Sequence, residues 1–226
     1  MASARIIGQI MELEKNPIAR RFLKRLWELA DKLFGKPFPE MRRVKQVSIY
    51  ACGPAVEEML FSFFGVKVSQ KSMIKSLRAQ TKVREYGLNV KDLTRATSFL
   101  GKKEYYFWEK RDATIHDLWR AVHTFKSPVG VEWQGVFYEN EDGDSGHYGV
   151  VTGVDKKTGY VRIADPYFNG IFRYNGVDRR FPIRLFEKRW WDENIIGGRS
   201  LIDNRVMFVI TPKSETWPKK LGMIRK

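Results

Sequence analysis

Apolar residues recur at three- and four-residue steps along the first 34 positions, which is the spacing of one helix face. The early part carries a partial stripe that predicts a first helix: Ile6, Ile7, Ile10, Met11 and Leu13. Asn16 and Pro17 are a helix cap and a first-turn proline, so a second helix begins there and ends near Gly35. Its apolar residues share one face: Phe22, Leu23, Leu26, Trp27, Ala30, Leu33 and Phe34.

Residues 1–40 are therefore predicted to be a basic amphipathic helical extension, joined to the rest by a linker over residues 36–45. A helix face this apolar and aromatic is expected to be buried against the main domain or against a partner protein. A helix that lies on a membrane surface is the third interpretation.

In the rest of the chain, the spacing of apolar residues changes once, at Pro128. Before Pro128, four helices are predicted from apolar patterns and start signals, over residues 53–64, 69–80, 90–100 and 114–125. After Pro128, β-branched and aromatic runs separated by turn residues predict strands: 129–133, 147–154, 160–164, 170–174 and 205–210. Helices first and strands second indicate an α+β domain with an antiparallel sheet over residues 41–212. Residues 213–226 are predicted to be a loose basic tail.

The charge of the chain is strongly unbalanced. It carries 41 Lys and Arg against 26 Asp and Glu, a formal net charge of +15. Such a balance favours contact with nucleic acid, an anionic membrane surface or an acidic partner, and a solvated basic surface is the simpler interpretation. No run of about 18 apolar residues occurs and the N-terminus lacks the pattern of a signal peptide, so we expect a cytoplasmic protein without a transmembrane segment.

Cys52 is the only cysteine, so an intramolecular disulfide is impossible. No CxxC or HExxH spacing is present, so neither a metal site nor a cofactor is predicted. Gly53 and Pro54 follow Cys52 and open an apolar helix, which places the sulfur at a helix N-terminus. The helix dipole and the unpaired N–H groups there favour the thiolate, which is the reactive form of cysteine.

A thiolate nucleophile also needs a base and a group that orients the base. His147 begins a predicted strand, and Asp165 ends the next one. If the two strands form a hairpin through residues 155–159, Asp165 returns beside His147 and can accept the imidazole N–H. Gln46, six residues before Cys52, can join the Cys52 backbone N–H as a donor to an oxyanion.

The motifs Gln46-x5-Cys-Gly-Pro-Ala, His147-Tyr-x-Val-Val-x-Gly and Asp165-Pro resemble those of the papain-like peptidases that remove double-glycine leaders from bacteriocins, and of their free-standing relatives without a transporter. The resemblance covers about residues 42–212. It implies a papain-like fold in which Cys52 is the nucleophile, His147 the base, Asp165 its orienting group and Gln46 the oxyanion donor. It also implies a peptide or protein substrate with small residues, such as glycine, before the scissile bond.

Two features depart from that family. The helical extension matches no part of it, and the region between Tyr167 and Leu201 is long and basic, so substrate specificity does not carry over. Thiol-dependent hydrolysis is one hypothesis, and acyl transfer to an amine by the same residues is a variant of it. The other hypothesis is a papain-like domain retained for assembly or for association with nucleic acid, supported by the charge and the extension.

Overall fold

A computed structural model of the chain describes residues 16–101, 104–135, 146–167, 178–196 and 199–226. The seven α-helices in these ranges are α1 Pro17–Phe34, α2 Cys52–Phe63, α3 Gln70–Ser76, α4 Gln80–Glu85, α5 Val90–Leu100, α6 Ile115–Trp119 and α7 Ile183–Arg189. A π-helical turn, Arg120–Thr124, continues α6, and a 3-10 helix spans Trp217–Leu221. Among the helices described, none combines the length and apolar character that crossing a bilayer requires.

The strands form one large sheet and one hairpin. They are β1 Tyr105–Lys110, β2 Val129–Gln134, β3 Gly146–Asp155, β4 Tyr160–Ala164, β5 Arg179–Pro182, β6 Trp191–Ile196, β7 Arg199–Asn204, β8 Met207–Pro212 and β9 Ile224–Arg225. The sheet has the order β5-β4-β3-β2-β8-β1-β9, and every pair in it is antiparallel. Strands β6 and β7 pair with each other. The architecture is α+β, as predicted.

Two apolar clusters form because successive residues of a strand point to opposite faces of the sheet. On one face Val150 and Phe208 pack with α2, and on the other Val151 and Val209 pack with α6 and the segment around Trp190. The helix that begins with Cys52 therefore rests directly on strand β3. This contact positions the site.

Several predicted elements are confirmed. Asn16 caps α1, with its side chain accepting the N–H of Ile18 at 2.9 Å. Thr114 and Asp117 form a capping box, which is the start signal of the helix predicted over residues 114–125. The helix predicted over residues 69–80 is shorter, since α3 ends at Ser76 and a separate helix, α4, begins at Gln80. The first predicted helix and the predicted strand at 170–174 lie outside the described residues.

The prediction that residues 213–226 form a loose tail is wrong. Leu221 and Met223 are buried in the apolar core, and the Trp217 ring stacks on Phe125 at 4.7 Å between centroids. Strand β9 pairs with β1 and closes that edge of the sheet. Apolar side chains at every second or third position outweigh the basic residues between them, so the segment belongs to the domain.

The segment that was predicted to be a linker is also packed. The Arg43 guanidinium donates to both carboxylate oxygens of Asp178, at 3.0 and 2.9 Å, and to the carbonyls of Pro37, Phe38 and Met41. Both charged side chains of this pair are almost completely buried. Because a buried charge needs such partners, the pair holds the chain before Cys52 against the start of β5.

Helix α1 is only half buried. Trp27 and Ala30 are partly covered by the domain, and the buried Asp31 accepts a hydrogen bond from Arg162 on β4. The other half of the apolar face is exposed, including Phe22, which was expected to be buried. The apolar arc of this helix is wider than the surface of the domain that contacts it.

Candidate active site

Cys52 is the first residue of α2 and is 8% exposed. The sulfur thus lies at a helix N-terminus, as the sequence predicted, where unpaired N–H groups favour a negative charge. Gly53, the next residue, is closely surrounded: a Cβ there would lie 3.1 Å from Leu93 Cδ2 and 3.4 Å from Tyr148 Cδ2, so a larger residue would require these side chains to shift. Glycine therefore lets the start of α2 approach strand β3 closely.

His147 lies near the start of β3, opposite Trp133 on β2. Its Nε2 is 2.8 Å from Asp165 Oδ1, and its ring also forms a hydrogen bond with the side chain of Cys52. Because Nε2 bonds to Asp165, Nδ1 is the nitrogen that remains for the sulfur. The predicted hairpin is confirmed: β3 and β4 pair and bring Asp165 back beside His147.

Asp165 is buried, and each of its oxygens has a donor. Oδ1 accepts from His147 and, at 2.9 Å, from the backbone N–H of Tyr167, while Oδ2 accepts from Arg179 on β5. Burial alone would raise the pKa of Asp165, but the charges of His147 and Arg179 and these hydrogen bonds hold it well below its usual range. Asp165 is therefore a fixed negative charge next to the imidazole.

The same contacts act on His147. Burial alone would lower the pKa of its imidazole, yet the charge of Asp165 and the hydrogen bonds to Asp165 and Cys52 raise it to about 9. At neutral pH the ring is held as an imidazolium between a carboxylate and a sulfur. An imidazolium beside a cysteine at a helix N-terminus is an arrangement that favours the thiolate.

Gln46 is held beside the residue that follows Asp165. Its backbone N–H donates to the carbonyl of Pro166 at 3.0 Å, directly after Asp165. Its side-chain Nε2 donates to the carbonyls of Ser48 and Ile49, at 2.9 and 2.7 Å, and its Oε1 is buried without a hydrogen-bond partner. In this state the Gln46 amide shapes the loop that leads into Cys52.

Arg179 is part of the site but was not identified from the sequence. It follows a region of low sequence regularity, and its role depends on the pairing of β4 with β5. The adjacent Asp178 forms the buried pair with Arg43, so the same short strand is held from both sides. The sequence offers only two adjacent arginines followed by Phe181 and Pro182, and four residues are too few to predict a strand.

A polar network lies behind Cys52. The Tyr148 hydroxyl donates to Glu132 at 2.5 Å, and Glu132 is 1% exposed. Burial and the nearby charge of Asp192 raise the pKa of Glu132 to about 8. Within the described ranges, no three or more ligand-type side chains are arranged to hold a metal ion.

A model of the Peptidase_C39 like family matches residues 38–194, well over half of the chain. The chain belongs to this family. It is a cysteine peptidase, and the match begins within the segment that Arg43 holds and includes every residue of the site. A search of curated protein sequences finds no match.

Solved structures share the fold of this peptidase. The peptidase domain of Streptococcus ComA, a bi-functional ABC transporter of a quorum-sensing pathway, is 16% identical over 76% of this chain and 99% of that one, with a TM-score of 0.52. A C39-like peptidase from Bacillus anthracis is 14% identical over 79% and 98%, with a TM-score of 0.53. A double glycine motif protease of an AMS/PCAT transporter, solved with its leader peptide, is 15% identical over 79% and 99%, with a TM-score of 0.48.

Proposed function

We propose that this peptidase hydrolyses peptide bonds with Cys52 as the nucleophile, His147 as the general base and Asp165 as the group that orients His147. The observation that carries the proposal is the buried chain of hydrogen bonds from Arg179 through Asp165 and His147 to Cys52. Asp165 faces two cationic side chains, His147 and Arg179, and His147 lies between the Asp165 carboxylate and the Cys52 sulfur.

In the proposed reaction, the Cys52 sulfur, whose proton already lies on His147, attacks the carbonyl carbon of the scissile bond as a thiolate. The oxyanion accepts hydrogen bonds from the backbone N–H of Cys52 and from a side-chain N–H of Gln46. His147 then protonates the leaving amine, which leaves a thioester on Cys52. Neutral His147 then takes a proton from water, which hydrolyses the thioester and restores the pair of thiolate and imidazolium.

The role of Gln46 requires a change in its hydrogen bonds. Both acceptors of its Nε2 are backbone carbonyls of the loop before Cys52, so one N–H has to turn from this loop toward the substrate. The loop presents exposed Val47, Ile49 and Tyr50 beside the nucleophile. Contact of a substrate with these side chains is a direct way to move the loop.

The substrate proposed here is a peptide with small residues before the scissile bond, as the resemblance to double-glycine leader peptidases implies. Cys52 is only 8% exposed, so a peptide without a bulky side chain next to the scissile carbonyl can approach its sulfur most easily.

The test is hydrolysis of fluorogenic peptides that carry Gly-Gly, Ala-Gly or Leu-Leu before the scissile bond. We expect Gly-Gly to be cleaved best. Cys52→Ala and His147→Ala should abolish cleavage, and Asp165→Asn should be milder because an amide oxygen can still accept the imidazole N–H. His123→Ala is the matched control, since His123 is exposed and donates to the Val154 carbonyl instead.

Equal and total loss in Asp165→Asn and His147→Ala would contradict an orienting role for Asp165. Cleavage that survives Cys52→Ala would contradict the nucleophile. If an added amine is incorporated in place of water, the same residues catalyse acyl transfer, which product analysis by mass spectrometry detects.

A further inference from the structure

Helix α1 exposes a continuous apolar stripe that the active site does not use. Its members recur at three- and four-residue steps and are between 44% and 78% exposed: Ile18, Phe22, Leu26, Leu29 and Leu33. At 3.6 residues per turn they lie within roughly 80° of one another around the helix. This stripe is distinct from the side of the helix that faces the domain through Trp27, Ala30 and Asp31.

The polar border of the stripe is basic. Arg21, Arg25 and Lys32 are exposed and follow along one side of it. The only acidic residues between Pro17 and Phe34 are Glu28 and Asp31, and Asp31 is turned inward to Arg162. A partner that binds this face therefore needs an apolar region to contact the stripe and negative charges to contact its basic border.

We propose that α1 docks the peptidase onto an anionic lipid surface, with the stripe in the acyl region and Arg21, Arg25 and Lys32 among the headgroups. Amphipathic helices with basic polar faces bind lipid in this way, lying in the plane of the interface. The body stays above the surface, because the opposite side of α1 contacts β4 through Asp31. Each basic residue near an anionic membrane strengthens binding by roughly fivefold.

A second copy of the chain fits this face less well. Two stripes packed antiparallel would bring two rows of Arg21, Arg25 and Lys32 together, and like charges repel. The net charge of +15 adds to this repulsion between whole molecules. The phosphates of a nucleic acid could pair with the three basic side chains, but the five apolar side chains of the stripe would stay in water.

The test is co-sedimentation of the full chain with vesicles of phosphatidylcholine alone or mixed with phosphatidylglycerol. We expect binding to the mixed vesicles, with little to neutral ones. Binding should weaken as salt rises from about 0.1 M to about 1 M, where the screening length falls from about 10 to about 3 Å.

Matched substitutions separate the stripe from general properties of the surface. Phe22 is 62% exposed on α1 and Phe99 is 61% exposed on α5. We expect Phe22→Glu to weaken vesicle binding by about tenfold or more, since it removes an aromatic ring that the lipid would bury. Phe99→Glu should leave vesicle binding unchanged. Arg25→Glu and Lys71→Glu change the net charge equally, and Arg25→Glu should weaken binding more.

Three results would overturn the proposal. The first is no binding to the anionic vesicles at low salt. The second is an equal effect of Phe22→Glu and Phe99→Glu, which would make binding a matter of charge alone, as with duplex DNA. The third is a lipid-free dimer in analytical ultracentrifugation that Phe22→Glu dissociates, which would assign the stripe to a second copy. Because Phe22 is exposed, its substitution does not disturb the packed domain.

Discussion

The charge state of single side chains decides what this site can do. His147 is almost completely buried, and it keeps its proton because Asp165 and Cys52 surround it with acceptors. Asp165 keeps its charge because His147 and Arg179 both face it. The two residues therefore stabilise each other, and the loss of either charge leaves the other one buried without compensation.

This coupling predicts how stability depends on pH. In the unfolded chain a histidine has a pKa of about 6.5, whereas in the fold that of His147 is raised to about 9. The protonated ring thus stabilises the fold fully below pH 6.5, and this contribution is lost as the pH rises to about 9. The loss amounts to about 3 kcal/mol at 1.36 kcal/mol per pKa unit.

Chemical denaturation of the wild type and of His147→Gln at pH 6 and pH 9.5 measures this contribution. We expect the stability advantage of the wild type to shrink by about 3 kcal/mol at the higher pH. Comparison of the two proteins cancels the groups that titrate in both. A difference that does not change with pH would mean that His147 is neutral in the fold.

The contacts of a site residue could be predicted from the sequence only where local structure, such as a hairpin, determines which residue lies next to it. A hairpin brings its two ends together, so the contact of His147 with Asp165 followed from strand pattern and turn length. The bonds of Gln46 to the carbonyls of Ser48 and Ile49 depend on the shape of one loop. Arg179 depends on a strand pairing that comes after the hairpin, so the sequence offered no local reason to place it at Asp165.

Strands β2 and β8 pack closely at one glycine. Gly130 lies opposite Phe208, and a Cβ on Gly130 would be 2.2 Å from the Phe208 ring. That ring also stacks on Phe107 at 5.1 Å and contacts Tyr148 at 6.0 Å between centroids. The absent side chain at Gly130 thus makes room for an aromatic cluster beneath the start of α2.

We therefore expect Gly130→Ala to destabilise the protein by about 1–3 kcal/mol, because it overpacks a filled core. Thermal or chemical unfolding measures the change. Adding Phe208→Leu should recover part of the loss, since it frees the space that the new methyl group needs. If Gly130→Ala is as stable as the wild type, the ring does not cover this position.

Elements with a local start signal were predicted well, and those defined by distant partners were not. Asn16-Pro17 and the Thr114–Asp117 box fixed where two helices begin. Strand β1 and the β6–β7 hairpin were missed, although Gly197-Gly198 between two apolar runs is a hairpin signal. Strand β9 has two residues and exists only because β1 accepts it as a neighbour.

At the scale of the whole molecule, α1 and the active site occupy different ends of β3. Trp27 lines a cavity of about 1380 Å³ together with Val154 and Lys157. His147 and Val154 are seven positions apart along the strand, which is about 23 Å. Helix α1 therefore does not cover Cys52, and the structure argues against an inhibitory segment within the described part of the extension.

Deletion of residues 1–35 is accordingly expected to leave the turnover of a small peptide unchanged. The reason is that α1 contacts the domain at the far end of the sheet, through Asp31 and Arg162. The measurement is kcat/KM of the full and shortened chains on the same fluorogenic peptide. A clear rise in activity on deletion would indicate that the extension inhibits the site after all.

The central claim is that Cys52 is a thiolate nucleophile activated by His147. Because Cys52 is the only cysteine, intact-mass spectrometry after brief exposure to iodoacetamide at neutral pH reports on this one sulfur. We predict that a single label is added faster than to free cysteine, that His147→Ala slows the labelling, and that His123→Ala does not. Labelling at the rate of free cysteine, or labelling that is unchanged in His147→Ala, would contradict the claim.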